Sequence, residues 1–118
     1  MGKRNCREIG TAYENKAVLY LQEQGYQVIK QNFRCRQGEI DIIAKDREYL
    51  VFIEVKYRKN AYEGAALEAV TTQKQRRIIQ AARYYLYHTK CTERPCRFDV
   101  IAFEGEEMVH IKNAFGVS

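Results

Sequence analysis

The sequence predicts a single α/β domain with elements in the order α-β-β-β-α-β-β. Three observations carry this. The chain has 118 residues, the length of one domain, with 46% hydrophobic and 30% charged residues, enough for both a core and a soluble surface. Two stretches repeat their apolar residues with helical period, and five others are short runs that read as strands between turn residues. Proline and serine occur once each, at Pro95 and Ser118, which excludes a disordered linker or a low-complexity protein.

The first helix is expected over residues 5–24, with Gly25 just past its end. At about 100° per residue, Ala17, Val18 and Leu21 share one stripe. Glu14 falls within that stripe. An unpaired carboxylate there would be costly to bury, so Glu14 either meets a cation at the core edge or faces a site that needs a carboxylate. Residues 26–33 read as a first strand and Arg34-Cys35-Arg36-Gln37-Gly38 as a basic turn. Residues 39–44 and 49–57 read as two strong strands joined by Lys45-Asp46-Arg47-Glu48. Between Asn60 and Val70 no element is decided.

A second long helix is expected from Thr72, because Thr72-Gln73-Lys74-Gln75 has the form of a capping box. Ile79, Ala82 and Leu86 should form its buried stripe, with Ile78 and Tyr85 alongside. Pro95 closes the following loop. Residues 97–103 and 108–111 then alternate as the last two strands.

No apolar run approaches the ~20 residues that span a bilayer. The first residues, Met1-Gly2-Lys3-Arg4-Asn5-Cys6, lack the apolar segment of a signal peptide, and Cys6 breaks a myristoylation motif. A cytoplasmic protein is expected. Cys6, Cys35, Cys91 and Cys96 have no paired zinc-knuckle spacing, so reduced thiols are expected. The net charge is +5, unevenly laid out: residues 1–36 are net +4, 37–70 net −2, 71–97 net +6 and 98–118 net −3. Two basic segments flank an acidic centre. Each is open to a plain reading as a solvated face; together they fit a polyanion-binding protein with a central acidic pocket.

The hairpin carries the chemistry. A two-residue turn at Arg47-Glu48 sets Asp41 opposite Glu54, and Glu39 opposite Lys56. Asp41 and Glu54 then share a face with Cβ atoms about 5 Å apart, a like-charge pair that must be offset. Lys56, two residues along the same face, supplies part of the offset. A divalent cation would supply more, since Mg²⁺ is commonly held by one or two carboxylates with waters and phosphate oxygens. Asp, Glu and Lys converging on a sheet suit phosphodiester hydrolysis. The structural alternative is an exposed hairpin with cross-strand ion pairs such as Glu39 with Lys56, on a half-buried sheet.

Asp41, then Glu54-Val55-Lys56, in an αβββαβ order, resembles the PD-(D/E)xK nuclease superfamily. More narrowly, the chain resembles the YraN family of endonuclease-like bacterial proteins. The matching stretches are Gly10-Thr-Ala-Tyr-Glu14, Phe33-Arg-Cys-Arg36, Gly38-Glu-Ile-Asp-Ile-Ile43, Val51-Phe-Ile-Glu-Val-Lys56, Lys74-Gln-Arg-Arg77 and Arg97-Phe-Asp-Val100. By pattern it is similar to archaeal Holliday-junction resolvases. Ile40, not proline, precedes Asp41, as many members of the superfamily also show.

The resemblance implies a restriction-endonuclease-like fold: an αβββαβ core, a mixed central sheet flanked by helices, and one extra C-terminal strand. It implies one nuclease-like domain over residues 1–118. Asp41 and Glu54 would be metal ligands with the Val55 carbonyl as a third, Lys56 the catalytic lysine, and Glu14 a further member of the metal shell. The implied cofactor is Mg²⁺, or Mn²⁺. Lys74 would face the substrate, and Arg34, Arg36, Arg76 and Arg77, with Arg83 further along, would neutralise phosphates. The expected activity is cleavage of DNA, at branched or damaged sites. The alternative is a non-catalytic nucleic-acid-binding or assembly module on the same fold. A homodimer is expected by analogy with resolvases, through an apolar edge on the last strands. Some of Tyr84, Tyr85 and Tyr87 would stack on bases or line that contact, or simply cover the sheet edge.

Overall fold

The computed structural model describes residues 6–58, 70–105 and 107–116. The undecided stretch before Val70 and the Cys6 side chain lie outside the described residues. The elements are α1 (Cys6–Glu23), β1 (Gln27–Cys35), β2 (Gly38–Asp46), β3 (Tyr49–Arg58), α2 (Thr72–Thr89), β4 (Cys96–Glu104) and β5 (Glu107–Phe115). This is the expected order, with most strands longer than the sequence pattern marked.

The five strands form one mixed sheet in sequential order. Among the described residues, only β3 and β4 run parallel; the other neighbours are antiparallel. A parallel step cannot be made by a hairpin, and α2 lies in the crossover between β3 and β4. The helices lie on opposite faces. Ala17 and Leu21 of α1 pack on Ile42, Val51, Ile53, Ile101 and Phe103. Ile78, Ala81 and Ala82 of α2 pack on Ile40, Ile43, Leu50, Phe52, Phe98 and Val100. The central strands are thus buried on both faces rather than half-buried, which explains their near-continuous apolar runs. Each fully buried Leu, Ile or Phe contributes about 1.5–3 kcal/mol through its removal from water.

Both helices end in left-handed residues. Gly25 has φ +91°; its N–H donates to the Gln22 carbonyl at 3.1 Å, and Tyr26 N–H donates to the Leu21 carbonyl at 2.9 Å. This is the paired closure of a Schellman motif. The start of α2 differs from expectation by one residue. Thr71, not Thr72, is the N-cap, its hydroxyl accepting from Lys74 N–H at 3.1 Å. Gln75 instead donates its side-chain amide to the Val70 carbonyl at 3.1 Å. The buried stripe also differs. Ile78, Ala81 and Ala82 make the contact, while Ile79 and Leu86 are only partly buried. The alanines bring the helix close to the sheet, and the larger side chains flank the contact.

One polar group lies deep in the α1 face. Asp99 of β4 is fully buried. Its carboxylate accepts from Arg97 Nε at 2.9 Å, His110 Nε2 at 2.8 Å and Asn113 N–H at 3.0 Å. Arg97 also donates to Asp46 at 3.0 Å and to the Tyr26 hydroxyl at 2.6 Å, and the Tyr20 hydroxyl lies 2.9 Å from His110 Nδ1. Cys35, Cys91 and Cys96 are free thiols. Among the described residues, no helix is long and apolar enough to cross a membrane.

Candidate active site

The β2–β3 hairpin has the expected register. Pairs run from Asp46↔Tyr49 to Ile42↔Ile53, with Arg47 at φ +58° in the turn. Pairing stops there, so Asp41 and Glu54, next in the register, stand where the strands part. Asp41 closes the gap with its side chain: Oδ2 accepts from Val55 N–H at 2.8 Å. On its other side the β1–β2 ladder skips the pair Asn32–Asp41, and Asn32 has φ +53°. Ile40 packs under α2 and Ile42 under α1. A regular strand would place both on one face, so β2 is kinked at Asp41. The kink turns one strand position out of both ladders and offers its carboxylate to the surroundings. It also removes the expected Glu39–Lys56 contact: Glu39 pairs with Arg34 at 3.2 Å, and Lys56 reaches Glu54 at 3.9 Å.

Four elements converge on this point. From α1 comes Glu14. The Asn32 carboxamide, oriented so that its nitrogen donates, reaches the two Glu14 oxygens at 3.2 and 3.3 Å. Burial and then the nearby Asp41 charge raise the Glu14 carboxyl above its usual value. From β3 comes Glu54, 4% exposed. Burial, then the hydrogen bond and charge of Asp41, push Glu54 up to about 8, against the pull of Lys74 and Lys56. From α2 comes Lys74, whose Nζ lies 3.1 Å from Glu54 Oε2. That oxygen is buried and makes no hydrogen bond of proper angle among the described residues, so the contact is an ion pair of poor direction. Burial and the adjacent Lys74 lower the Lys56 ammonium; Lys74 is held up by Lys56 and Glu54 despite its own burial.

Two cavities of about 510 Å³ each adjoin the cluster. One is lined by Gly10, Glu14, Asn32, Arg34 and Asp41 among others. The second lies between α2 and the β1–β2 turn and includes Arg34, Gly38, Lys74 and Arg77. Gly38 is required there: a Cβ would stand 2.9 Å from the Arg77 carbonyl oxygen. The structure therefore brings Glu14, Asp41, Glu54, Lys56 and Lys74 together, with Arg34 and Arg77 at the rim. Arg36 and Arg76 are exposed and line neither cavity. Sequence reasoning missed Asn32 and Gly38. An asparagine within a strand pattern, tolerant of left-handed backbone, was the available signal for the first.

Among the described residues, no three Asp, Glu, His or Cys side chains stand at metal-holding spacing. Asp41 is engaged with Val55 N–H and Glu54 with Lys74. The donor chemistry nevertheless suits Mg²⁺, which needs one or two carboxylates beside its waters. Glu54 Oε2 is a buried oxygen that Lys74 meets without a well-directed hydrogen bond. A strand residue's N–H and C=O point toward the same neighbour, so the Val55 carbonyl also faces the gap beside Asp41.

A family model described as "Uncharacterised protein family UPF0102" matches residues 13–103. A UPF0102 protein of Lachnoclostridium phytofermentans is 54% identical over 112 residues, covering 94% of this chain and 95% of its own. One from a Janthinobacterium species is 48% identical over 105 residues, covering 89% and 85%. Another from Alcanivorax borkumensis is 43% identical over 118 residues, covering 95% and 94%.

Proposed function

We propose that this chain, which belongs to the uncharacterised protein family UPF0102, is a Mg²⁺-dependent endonuclease hydrolysing DNA phosphodiester bonds at branched or damaged sites. The supporting observation is the Asp41–Glu54 pair, held where β2 and β3 part and joined there by Glu14, Lys56 and Lys74. Adjacent buried carboxylates repel, and the pull of Lys74 and Lys56 leaves Glu54 still raised. Asp41, Glu54 and the Val55 carbonyl would hold the ion, whose chemistry there is to neutralise phosphate charge and acidify a water. Lys56, lowered by burial, takes up or steers the proton of the attacking water. Lys74 holds the scissile phosphate, and Arg34 and Arg77 neutralise its neighbours. Glu14, fixed by Asn32, orients water on the α1 side. A second copy of the chain would present two such sites to the two strands of a junction.

The test is cleavage of labelled linear, nicked, flapped and four-way DNA by purified protein with Mg²⁺, Mn²⁺ or EDTA. Asp41→Ala and Lys56→Ala should each lower the metal-dependent rate at least about 100-fold while DNA affinity stays within a few fold. Failure to cut any of the four substrates overturns the nuclease reading. The alternative, a non-catalytic nucleic-acid-binding or assembly module, is favoured by one observation: Lys74 already lies beside Glu54 as a cation. It predicts binding without cutting.

A further inference from the structure

Helix α2 contains no Asp or Glu among its 18 residues, against Lys74, Arg76, Arg77 and Arg83, with His88 in its last turn. At about 100° per residue, Arg77, Tyr84 and His88 fall within about 20° of one line along the helix. That line starts at the rim of the cavity that Arg77 shares with Arg34 and Glu39, the latter two paired at 3.2 Å. It ends in a cluster of rings. Tyr84 and His88 are stacked with centroids 3.9 Å apart and 25° between planes, and Tyr87 meets His88 edge-on at 5.3 Å. His88 Nδ1–H donates to the Tyr84 carbonyl at 2.9 Å, which fixes its ring. Phe33 of β1 lies 6.2 Å from Tyr84, and Lys30 Nζ lies 6.0 Å from the Phe33 centroid. Tyr84 is 38% exposed and Tyr87 73%, so these rings do not serve the core that Tyr85 enters.

Buried rings stabilise by losing water; rings left in water beside guanidinium and ammonium groups do not. An acid-free helix whose cations are interleaved with oriented rings is complementary to a polyanion that also offers flat apolar faces. Bases in a duplex have those faces covered by their neighbours, whereas unpaired bases can stack on Tyr and His. We infer that the α2 face from Arg77 to His88 is a docking track for unpaired nucleotides, so that the preferred substrate carries a single-stranded segment next to the scissile phosphodiester. The span from Lys74 to the Tyr84–His88 pair is about 15–20 Å along the helix, or about four to six nucleotides at the 3.4 Å spacing of a stacked strand. The inference rests on the proposed nuclease reading for the placement of the scissile bond, and on the α2 surface alone for the binding preference.

The test is binding in EDTA, where cleavage plays no part. Fluorescence anisotropy of the full chain is read on a single-stranded 20-mer, a blunt 20-base-pair duplex and the same duplex with a single-stranded tail of about six nucleotides. The single strand and the tailed duplex should bind at least about tenfold tighter than the blunt duplex. Tyr84→Ala and His88→Ala should each erase about tenfold of that advantage and leave blunt-duplex affinity unchanged, while Tyr84→Phe retains it. His88 is exposed, so its variant tests the track even where Tyr84→Ala fails to fold. Arg77→Ala should weaken all three and lower the salt dependence. Equal affinity for all three DNAs, or equal losses on all three in the ring variants, overturns the inference, as does a dimer that Tyr87→Ala dissolves. A chain that binds in the predicted pattern and never cuts overturns the nuclease reading and leaves the track standing.

Discussion

Glu54 and Asp99 are carboxylates buried on opposite faces of the same sheet, on the parallel strands β3 and β4, one register step apart. Their surroundings are opposite. Burial would raise Asp99, but hydrogen bonds from His110, Arg97 and Asn113 N–H bring it below its ordinary value. Glu54 is also raised by burial, then by the Asp41 carboxylate beside it, and the two lysines only partly offset this; the result is a group pushed up to about 8. Every oxygen of Asp99 has a donor, whereas Glu54 Oε2 makes no well-directed hydrogen bond among the described residues. A carboxylate provided with every partner holds the fold together. One left short of partners beside a second carboxylate and two lysines holds a place open for something else.

The largest expected effect breaks the satisfied side of this comparison. Asp99→Ala strands Arg97, His110 and the Asn113 N–H in the core and should cost about 3–5 kcal/mol in urea denaturation. Glu54→Gln removes a poorly partnered charge and should instead stabilise the metal-free protein by about 1–3 kcal/mol near pH 9. Equal destabilisation by both would show that Glu54 is structural too.

The pH dependence should separate the two without mutation. Glu54 has a folded value above its unfolded one, so the folded state binds the extra proton between the ordinary carboxylate value and about 8. Stability therefore falls as pH rises through that window. Asp99 has the reverse sign: its contribution is present above the unfolded carboxylate value and is lost as pH falls through the lowered folded one. A stability profile in EDTA should decline on both sides of a maximum, with Glu54→Gln flattening the alkaline limb alone. Asp41→Asn should flatten it in part and add about 1 kcal/mol, because the amide oxygen still accepts from Val55 N–H while the repulsion is gone. Mg²⁺ at about ten times its dissociation constant should raise wild-type stability by about 1.4 kcal/mol and leave Asp41→Asn unmoved.

The open side of the comparison was more legible in sequence than the satisfied side. The turn at Arg47-Glu48 fixes the hairpin register, and register alone sets Asp41 beside Glu54. Glu14 announced itself by lying on an apolar stripe. Asp99 gave no such signal: its partners come from positions 97, 110 and 113, and nothing local in the sequence says that those side chains meet. The kink at Asp41 was equally hidden, because it depends on Asn32 adopting a left-handed backbone opposite it, a choice between two allowed conformations that tertiary pairing decides. The one-residue error at the α2 cap has a simpler cause. Two adjacent threonines compete for that position, and the glutamine that favoured Thr72 bonds to Val70 instead.

The smallest expected effect lies at Asn32 and separates backbone from side chain within the open site. Its φ of +53° is strained for a residue with an ordinary Cβ, and its amide reaches Glu14. Asn32→Gly removes the amide but adopts the same backbone freely, so stability should change by less than about 0.5 kcal/mol. Asn32→Ala removes the amide and adds strain of about 1 kcal/mol. Both variants free Glu14 and should lower the cleavage rate alike, since the hydrogen bond is absent from each. If the alanine variant alone loses activity, the left-handed turn that parts β1 from β2 at Asp41 is what the site depends on, and Glu14 needs no anchor. If neither loses activity, Glu14 stands outside the reaction and the working set contracts to Asp41, Glu54, Lys56 and Lys74.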